Sequence, residues 1–134
     1  MPQENVEIIR MIVEAANRGD GEAIAAISDD DVEFVSAVLA SVGGGVFRGK
    51  DAWATYFRRM RETWEEWQFE DAEISEADDE QVVAVMRLVG VGKGNGARVE
   101  HPLGIAYRFR NGKLWRMHAY LDPRDAFKAV GLSE

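Results

Sequence analysis

Apolar residues recur along this chain in two rhythms. Between Glu4 and Arg18 the side chains Val6, Ile9, Ile12, Val13 and Ala16 return every three or four positions, the spacing of one helix face. Ile8 and Met11 widen the stripe, so the helix is expected to touch neighbours on more than one side. Gly19 suits a C-terminal cap and Asp20 an N-cap, which predicts a second short helix carrying Ala23, Ile24 and Ile27 and, with the first, a helical hairpin. After the polar break from Ser28 to Asp31, Val32 to Leu39 reads as a strand. Ser41 to Gly45 reads as a glycine-rich connection that lacks the lysine of a phosphate loop. A third helix is predicted from about Asp51 to Trp67, where Trp53, Tyr56, Phe57, Met60, Trp64 and Trp67 repeat at helical spacing. This aromatic stripe fits a core, and Trp53 and Tyr56 fit equally well as the wall of a small-ligand pocket.

Strand rhythm takes over beyond that helix. Phe69 to Ile74 is a short strand, Glu76 to Glu80 a turn, and Gln81 to Val91 a longer strand apolar on both faces, as when both sides are covered. Gly92-Lys93-Gly94-Asn95-Gly96 is a hairpin tip, because no helix follows it to complete a dinucleotide fingerprint. Ala97 to Arg110 and Lys113 to Asp122 then form a hairpin about Asn111-Gly112. A two-residue turn would pair Tyr107 with Arg116 and Ile105 with His118. A three-residue loop with Gly112 in a bulge would pair Tyr107 with Trp115 and Ile105 with Met117. The bulged register segregates the faces better. It places Leu103, Ile105, Tyr107, Trp115, Met117, Ala119 and Leu121 inside and Arg108, Arg116, His118 and Tyr120 outside. Pro123 opens a terminal helix with Ala126, Phe127 and Val130 on its apolar side, and Gly131 ends it. The order predicts an α+β domain, a curved sheet wrapped against helices.

With 134 residues and 46% hydrophobic content, the chain is expected to form one domain over 1–134 with a sizeable core. Its 24 acidic and 16 basic side chains give a net charge of -8, which argues against nucleic acid as a partner. Cysteine is absent, so no disulfide framework or thiolate metal site exists. The first residues lack the build of a signal peptide, and no apolar run approaches the roughly 20 residues that span a bilayer. The expectation is a cytoplasmic protein without membrane, metal or cofactor.

Several short motifs then fall in a familiar order: Asn17-Arg18-Gly19-Asp20, Asp30-Asp31-Val32-Glu33-Phe34, Phe47-Arg48-Gly49-Lys50-Asp51-Ala52, Asn111-Gly112-Lys113-Leu114, Tyr120-Leu121-Asp122 and Ala126 to Leu132. In this the chain resembles the nuclear transport factor 2-like superfamily and, within it, the SnoaL-like group, whose members include polyketide cyclases. The resemblance implies a cone-shaped α+β barrel: a strongly bent, mainly antiparallel sheet packed against an N-terminal helical hairpin and a third long helix, around an apolar cavity and usually in a homodimer. Ketosteroid isomerases of this superfamily use a tyrosine, a carboxylate base and a protonated aspartate. Those positions fall on Ile12, Ser36 and Ile105. For the epoxide hydrolases the arginine matches Arg87, but the carboxylates fall on Val89 and Ala119 and the water-holding pair on Phe34 and Ser36. Neither residue set is retained.

The expected cavity is lined by Phe34, Ser36, Trp53, Tyr56, Ile105, Tyr107, Met117, Ala119 and Leu121, with Ile12, Val89 and Leu103 beside them and Arg87 as its one charge. A buried guanidinium must find an anion or a carbonyl, so Arg87 and Ser36 would orient the polar end of an otherwise apolar ligand, unless Arg87 is tied to a nearby Glu or faces outward. His101 is a candidate for proton transfer because histidine titrates near neutrality. Asp122 is a second candidate acid and equally an ordinary helix cap before Pro123. The polar-aromatic outer face of Arg108, Arg116, His118 and Tyr120 fits a homodimer contact. Two functions follow. One is a cofactor-independent isomerase or cyclase acting on a hydrophobic carbonyl compound. The other is a non-catalytic module that binds a hydrophobic ligand or pairs with a partner chain.

Overall fold

The computed structural model describes residues 2–37 and 45–132. Of the glycine-rich connection predicted from Ser41 to Gly45, all but Gly45 lies outside the described residues, as do Val38 and Leu39 at the end of the predicted first strand.

The elements run α1 (Pro2–Arg18), α2 (Gly21–Ala26), β1 (Ser28–Ser36), β2 (Val46–Arg48), α3 (Ala52–Thr63), β3 (Trp64–Glu76), β4 (Gln81–Gly92), β5 (Arg98–Arg110), β6 (Lys113–Tyr120) and α4 (Pro123–Ala129). Six strands form one curved sheet in the order β2-β1-β6-β5-β4-β3, open at both edges rather than closed into a barrel. Strands β1 and β6 run parallel and all other neighbours antiparallel. The helical hairpin and α3 cover the inner face, where they bury Ile9, Ile12, Ile24, Trp53, Phe57 and Met60.

Local chemistry explains how the hairpin reaches the sheet. Gly19 turns the chain with a positive φ of 67°, which a Cβ would disfavour. Asp20 caps α2 by accepting from the Ala23 N–H at 3.1 Å. Asn17 then ties α1 to β3 on both sides of one residue: its amide donates to the Phe69 carbonyl at 3.1 Å and its carbonyl accepts from the Phe69 N–H at 2.7 Å.

Helix α3 stops at Thr63, four residues before the predicted end at Trp67. Long-range contacts override the helical spacing of the last two tryptophans. Trp64 lies across Gly90, where a Cβ would come within 2.7 Å of its ring, and the Trp67 indole donates to the Ala16 carbonyl at 2.9 Å. Both contacts hold the first part of β3 beside β4, and the 13-residue strand continues past an irregularity at Asp71, whose φ is 56°.

The hairpin at Asn111-Gly112 adopts neither expected register. Asn111 and Gly112 have φ values of 54° and 77°, a tight two-residue turn that pairs Arg110 with Lys113 and Phe109 with Leu114. The extra residue enters one pair later, at Trp115, after which Arg108 pairs with Arg116, Tyr107 with Met117 and Ile105 with Ala119. Beyond this bulge the odd-numbered residues share the inner face, as expected. Before it the parity is reversed: Leu114 is buried in the core and Trp115 turns to the outer face, between the guanidinium groups of Arg110 and Arg116 at 4.6 and 4.2 Å. Strand β6 ends at Tyr120, so Leu121 lies beyond it and is 48% exposed.

Helix α4 packs on the outer face over β5, where Val83, Ala106, Ala126 and Val130 form a second small core. Among the described residues no helix is long and apolar enough to cross a membrane.

Candidate functional site

The inner face and its helices enclose one apolar cavity of about 30 Å³. Ile12, Val13 and Ala16 of α1 and Ile24 of α2 roof it. Trp53, Tyr56 and Phe57 of α3 close one side, and the sheet supplies Phe34, Ser36, Phe69, Met86, Leu103, Ile105, Tyr107, Met117 and Ala119. Aromatic packing sets its walls. Phe34 stacks on Trp53 at 5.2 Å and on Phe47 at 5.9 Å, and Tyr56 meets Phe34 and Phe57 edge-on, each at 4.9 Å. The Trp53 indole is fixed in turn by a bond to Ser28 Oγ at 3.1 Å, which itself donates to the Ile24 carbonyl at 2.7 Å.

Three hydroxyl-bearing side chains belong to this lining. Ser36 Oγ is buried and has no hydrogen-bond partner among the described residues. A buried polar atom in that state costs free energy that a ligand's polar atom would recover. Tyr56 and Tyr107 are the other two. Burial pushes both phenols well above their ordinary titration range, and Tyr107 is raised further by the nearness of Tyr56. They are therefore neutral donors at physiological pH and not bases. Native protein is expected to show little phenolate absorbance near pH 10, where a free tyrosine is half ionised at about that value. The fold favours the protonated phenols, so their contribution to stability is complete below the free-tyrosine range and declines as pH rises above it. A spectrophotometric titration should show ionisation arriving with alkaline unfolding; normal titration of all three tyrosines in folded protein would contradict this burial.

Of the residues named from the sequence, Phe34, Ser36, Trp53, Tyr56, Ile105, Tyr107, Met117 and Ala119 lie in the cavity lining, and so do Ile12 and Leu103. Two expected lining residues do not. Strand β4 turns Val82, Ala84, Met86 and Leu88 inward, so Arg87 faces out, where it pairs with Glu70 at 2.9 Å, Asp71 at 3.5 Å and Glu100 at 3.7 Å. Leu121 is exposed, as described above. Val89, although buried, is also absent from the lining, because it shares the outward alternation of Arg87.

The two candidate acid-base groups lie elsewhere. His101 pairs across from Leu88 on β4, and its Nδ1 is 2.6 Å from the Pro102 carbonyl; it is not part of the lining. Asp122 is the N-cap of α4: it accepts from the Arg124 N–H at 3.0 Å and pairs with the Arg124 guanidinium at 2.9 Å. Those bonds hold its carboxyl below the usual carboxylate range. The aspartate therefore serves as a cap. Met86, Phe57 and Phe69 also line the cavity, although the sequence pattern does not single them out for it. Among the described residues no cluster of His, Asp or Glu is arranged to hold a metal ion.

The chain belongs to the SnoaL-like domain family, whose model matches residues 9–117. Its fold is similar to that of a candidate polyketide cyclase from Xanthomonas campestris pv. campestris, with 24% identity, 97% of this chain and 98% of that one covered, and a TM-score of 0.77. It is also similar to an NTF2-like protein from Burkholderia xenovorans LB400, at 26% identity over 98% of both chains with a TM-score of 0.76. A third similar structure is TerC co-crystallised with polyporic acid, at 19% identity over 95% of this chain and 98% of that one, TM-score 0.78. No curated protein matches the chain in sequence. The nuclear transport factor 2-like architecture and the SnoaL-like grouping are thereby established. In the superfamily resemblance, Ile12, Ser36 and Ile105 replace the isomerase groups, and all three do line the cavity.

Proposed function

We propose that this protein takes a small hydrophobic carbonyl compound into the cavity and promotes its cofactor-independent isomerisation or ring closure, in the manner of a polyketide cyclase. One observation carries this reading: among the described residues the apolar lining includes three hydroxyl-bearing side chains, Ser36, Tyr56 and Tyr107, and the first has no hydrogen-bond partner.

Neutral donors at a carbonyl oxygen stabilise the negative charge that grows there in an enolate or aldolate. Among the described residues the lining contains no carboxylate and no histidine, so proton abstraction from an unactivated carbon has no side chain there to perform it. A 1,3-dicarbonyl compound is different because it enolises readily by itself. Its enol carbon can attack a second carbonyl within the same molecule. One C–C bond forms, the second carbonyl oxygen gains a proton, the enol oxygen loses one, and the net change is an isomerisation. The cavity as it stands has room for about two water molecules, so entry of such a ligand requires side chains to move. Met86 and Met117 are unbranched and can do so at small cost.

The lack of a lining base also favours the second reading, a module that binds the same kind of ligand without turning it over. Both share one binding test. Titration with benzoylacetone, a hydrophobic 1,3-diketone, is expected to change Trp53 fluorescence. Ser36→Ala should weaken binding roughly tenfold, the loss of one buried hydrogen bond. The same substitution should leave the free protein as stable as before, or more stable by about 1 kcal/mol, because it removes a buried group without a partner. Tyr107→Phe should weaken binding similarly. Equal affinity in all three proteins would refute the assignment. Conversion of a linear poly-β-carbonyl compound then separates the cyclase from the binder.

A further inference from the structure

A second groove, of about 320 Å³, crosses the outer face of the sheet beside α4. Arg108 and Arg116 stand at one end of it, directly opposite each other across β5 and β6. Like charges in that position repel, and sheets ordinarily avoid them. Neither guanidinium makes a direct ion pair among the described residues, although Asp78 interacts with Arg108 from farther off and Glu33 is the cross-strand neighbour of Arg116. Arg108 donates through Nε to Gln81 at 3.1 Å, and Arg116 through Nη1 to the carbonyls of Asp31 and Trp115, each at 2.9 Å. Their other nitrogens make no hydrogen bond among the described residues. The neighbouring carboxylates are engaged elsewhere: Glu33 with Arg48 at 2.8 Å, Asp78 with Gln81 at 2.7 Å, and Asp31 with Arg110 at 3.5 Å. Two adjacent cations without a direct ion pair, in a chain of net charge -8, are a placement that a bound anion would complete.

Flat surfaces continue from the cations. The Trp115 indole lies beside Arg116, and further along β6 the rings of His118 and Tyr120 are stacked at 3.9 Å and 2°. Arg116, His118 and Tyr120 alternate along one strand face, so the groove runs roughly 13 Å from cation to phenol. Val35 and Val130 add apolar contact. We propose that this groove binds a planar aromatic carboxylate, its carboxylate gripped by Arg108 and Arg116 and its rings laid over the His118–Tyr120 stack. A second copy of the chain fits less well. An isologous contact would have to answer four arginines, and the one carboxylate in the groove lining, Glu33, is already held by Arg48.

The site is separate from the core cavity, and its test is independent of the function proposed there. 2-Naphthoate titrated into the full chain is expected to shift the amide resonances of Arg116 and His118 and the indole resonance of Trp115, leaving those of Trp53 unmoved. Methyl 2-naphthoate, which lacks the charge, should bind at least tenfold more weakly. Arg108→Glu creates an opposite-charge pair with Arg116, so the variant should melt no lower than the parent and yet lose naphthoate binding. Retained binding in Arg108→Glu, or equal affinity for acid and ester, overturns the proposal. A dimer that Arg108→Glu dissociates, together with absent naphthoate binding, assigns the face to a second copy and overturns it as well.

Discussion

Trp53→Ala is expected to destabilise the protein by about 3–5 kcal/mol, the range for removing a buried large aromatic side chain. Three contributions add at this position. The indole is almost wholly buried at 1% exposure and stacks on Phe34, so its loss leaves a large void beside the cavity. Its N–H donates to Ser28 Oγ, which is itself buried, and that bond is lost. Helix α2 crosses α3 closely at this residue, where a Cβ built on Gly21 would come within 3.2 Å of the Trp53 backbone and Cβ, so loss of the indole also loosens that crossing. Chemical denaturation measures the effect. Trp53→Phe keeps ring packing but not the hydrogen bond and should fall between the two. A loss under 1 kcal/mol for the alanine variant would mean that this aromatic cluster does not set the cavity wall.

Gly104→Val comes next, with an expected cost of about 3 kcal/mol. A Cβ at this position would stand 2.6 Å from Pro123 Cα and 2.8 Å from Ala126 Cβ, and the first of these is backbone that cannot rotate away. Relief requires α4 to lift from β5. That helix has only seven residues and few buried side chains, so it cannot resist. Thermal melting should fall by roughly 10 °C, and hydrogen exchange should show protection lost first in α4. The inner cavity, on the opposite face of the sheet, should keep its ligand affinity while the protein is folded. An unaltered melting temperature would show that α4 is not docked as described.

Local periods made much of this site legible. The alternation in β5 and β6 and the helical repeat of Trp53, Tyr56 and Phe57 each refer to one element, and each places its residues on the correct face except Trp115 and Leu121. Failures came where two elements compete for one residue. Trp64 and Trp67 continue a helical period, yet Gly90 and the Ala16 carbonyl draw them into a strand. In β4 both faces are apolar, so alternation alone does not say which is inside. Arg87 was placed by family resemblance, and the acidic residues of β3 and β5 hold it outside. Leu121 was extrapolated along β6, but Asp122 and Pro123 start α4 and end the strand. The bulge at Trp115 depends on Arg110 and Arg116 from two different strands, and the parallel pairing of β1 with β6 is long-range; neither leaves a local trace. The value of Tyr56 and Tyr107 as donors was hidden for another reason. They read as apolar bulk, and only the enclosure of their hydroxyl-bearing rings in one cavity with Ser36 gives them a chemical role.

The central claim is that neutral hydroxyl donors in the core cavity hold a ligand's carbonyl oxygen. Carbon-13 NMR of benzoylacetone labelled at its carbonyl carbons reads that contact directly. A downfield shift on binding, reduced in Ser36→Ala and again in Tyr107→Phe, is the expected result. A bound carbonyl whose shift is the same in the parent protein and in both variants would contradict it.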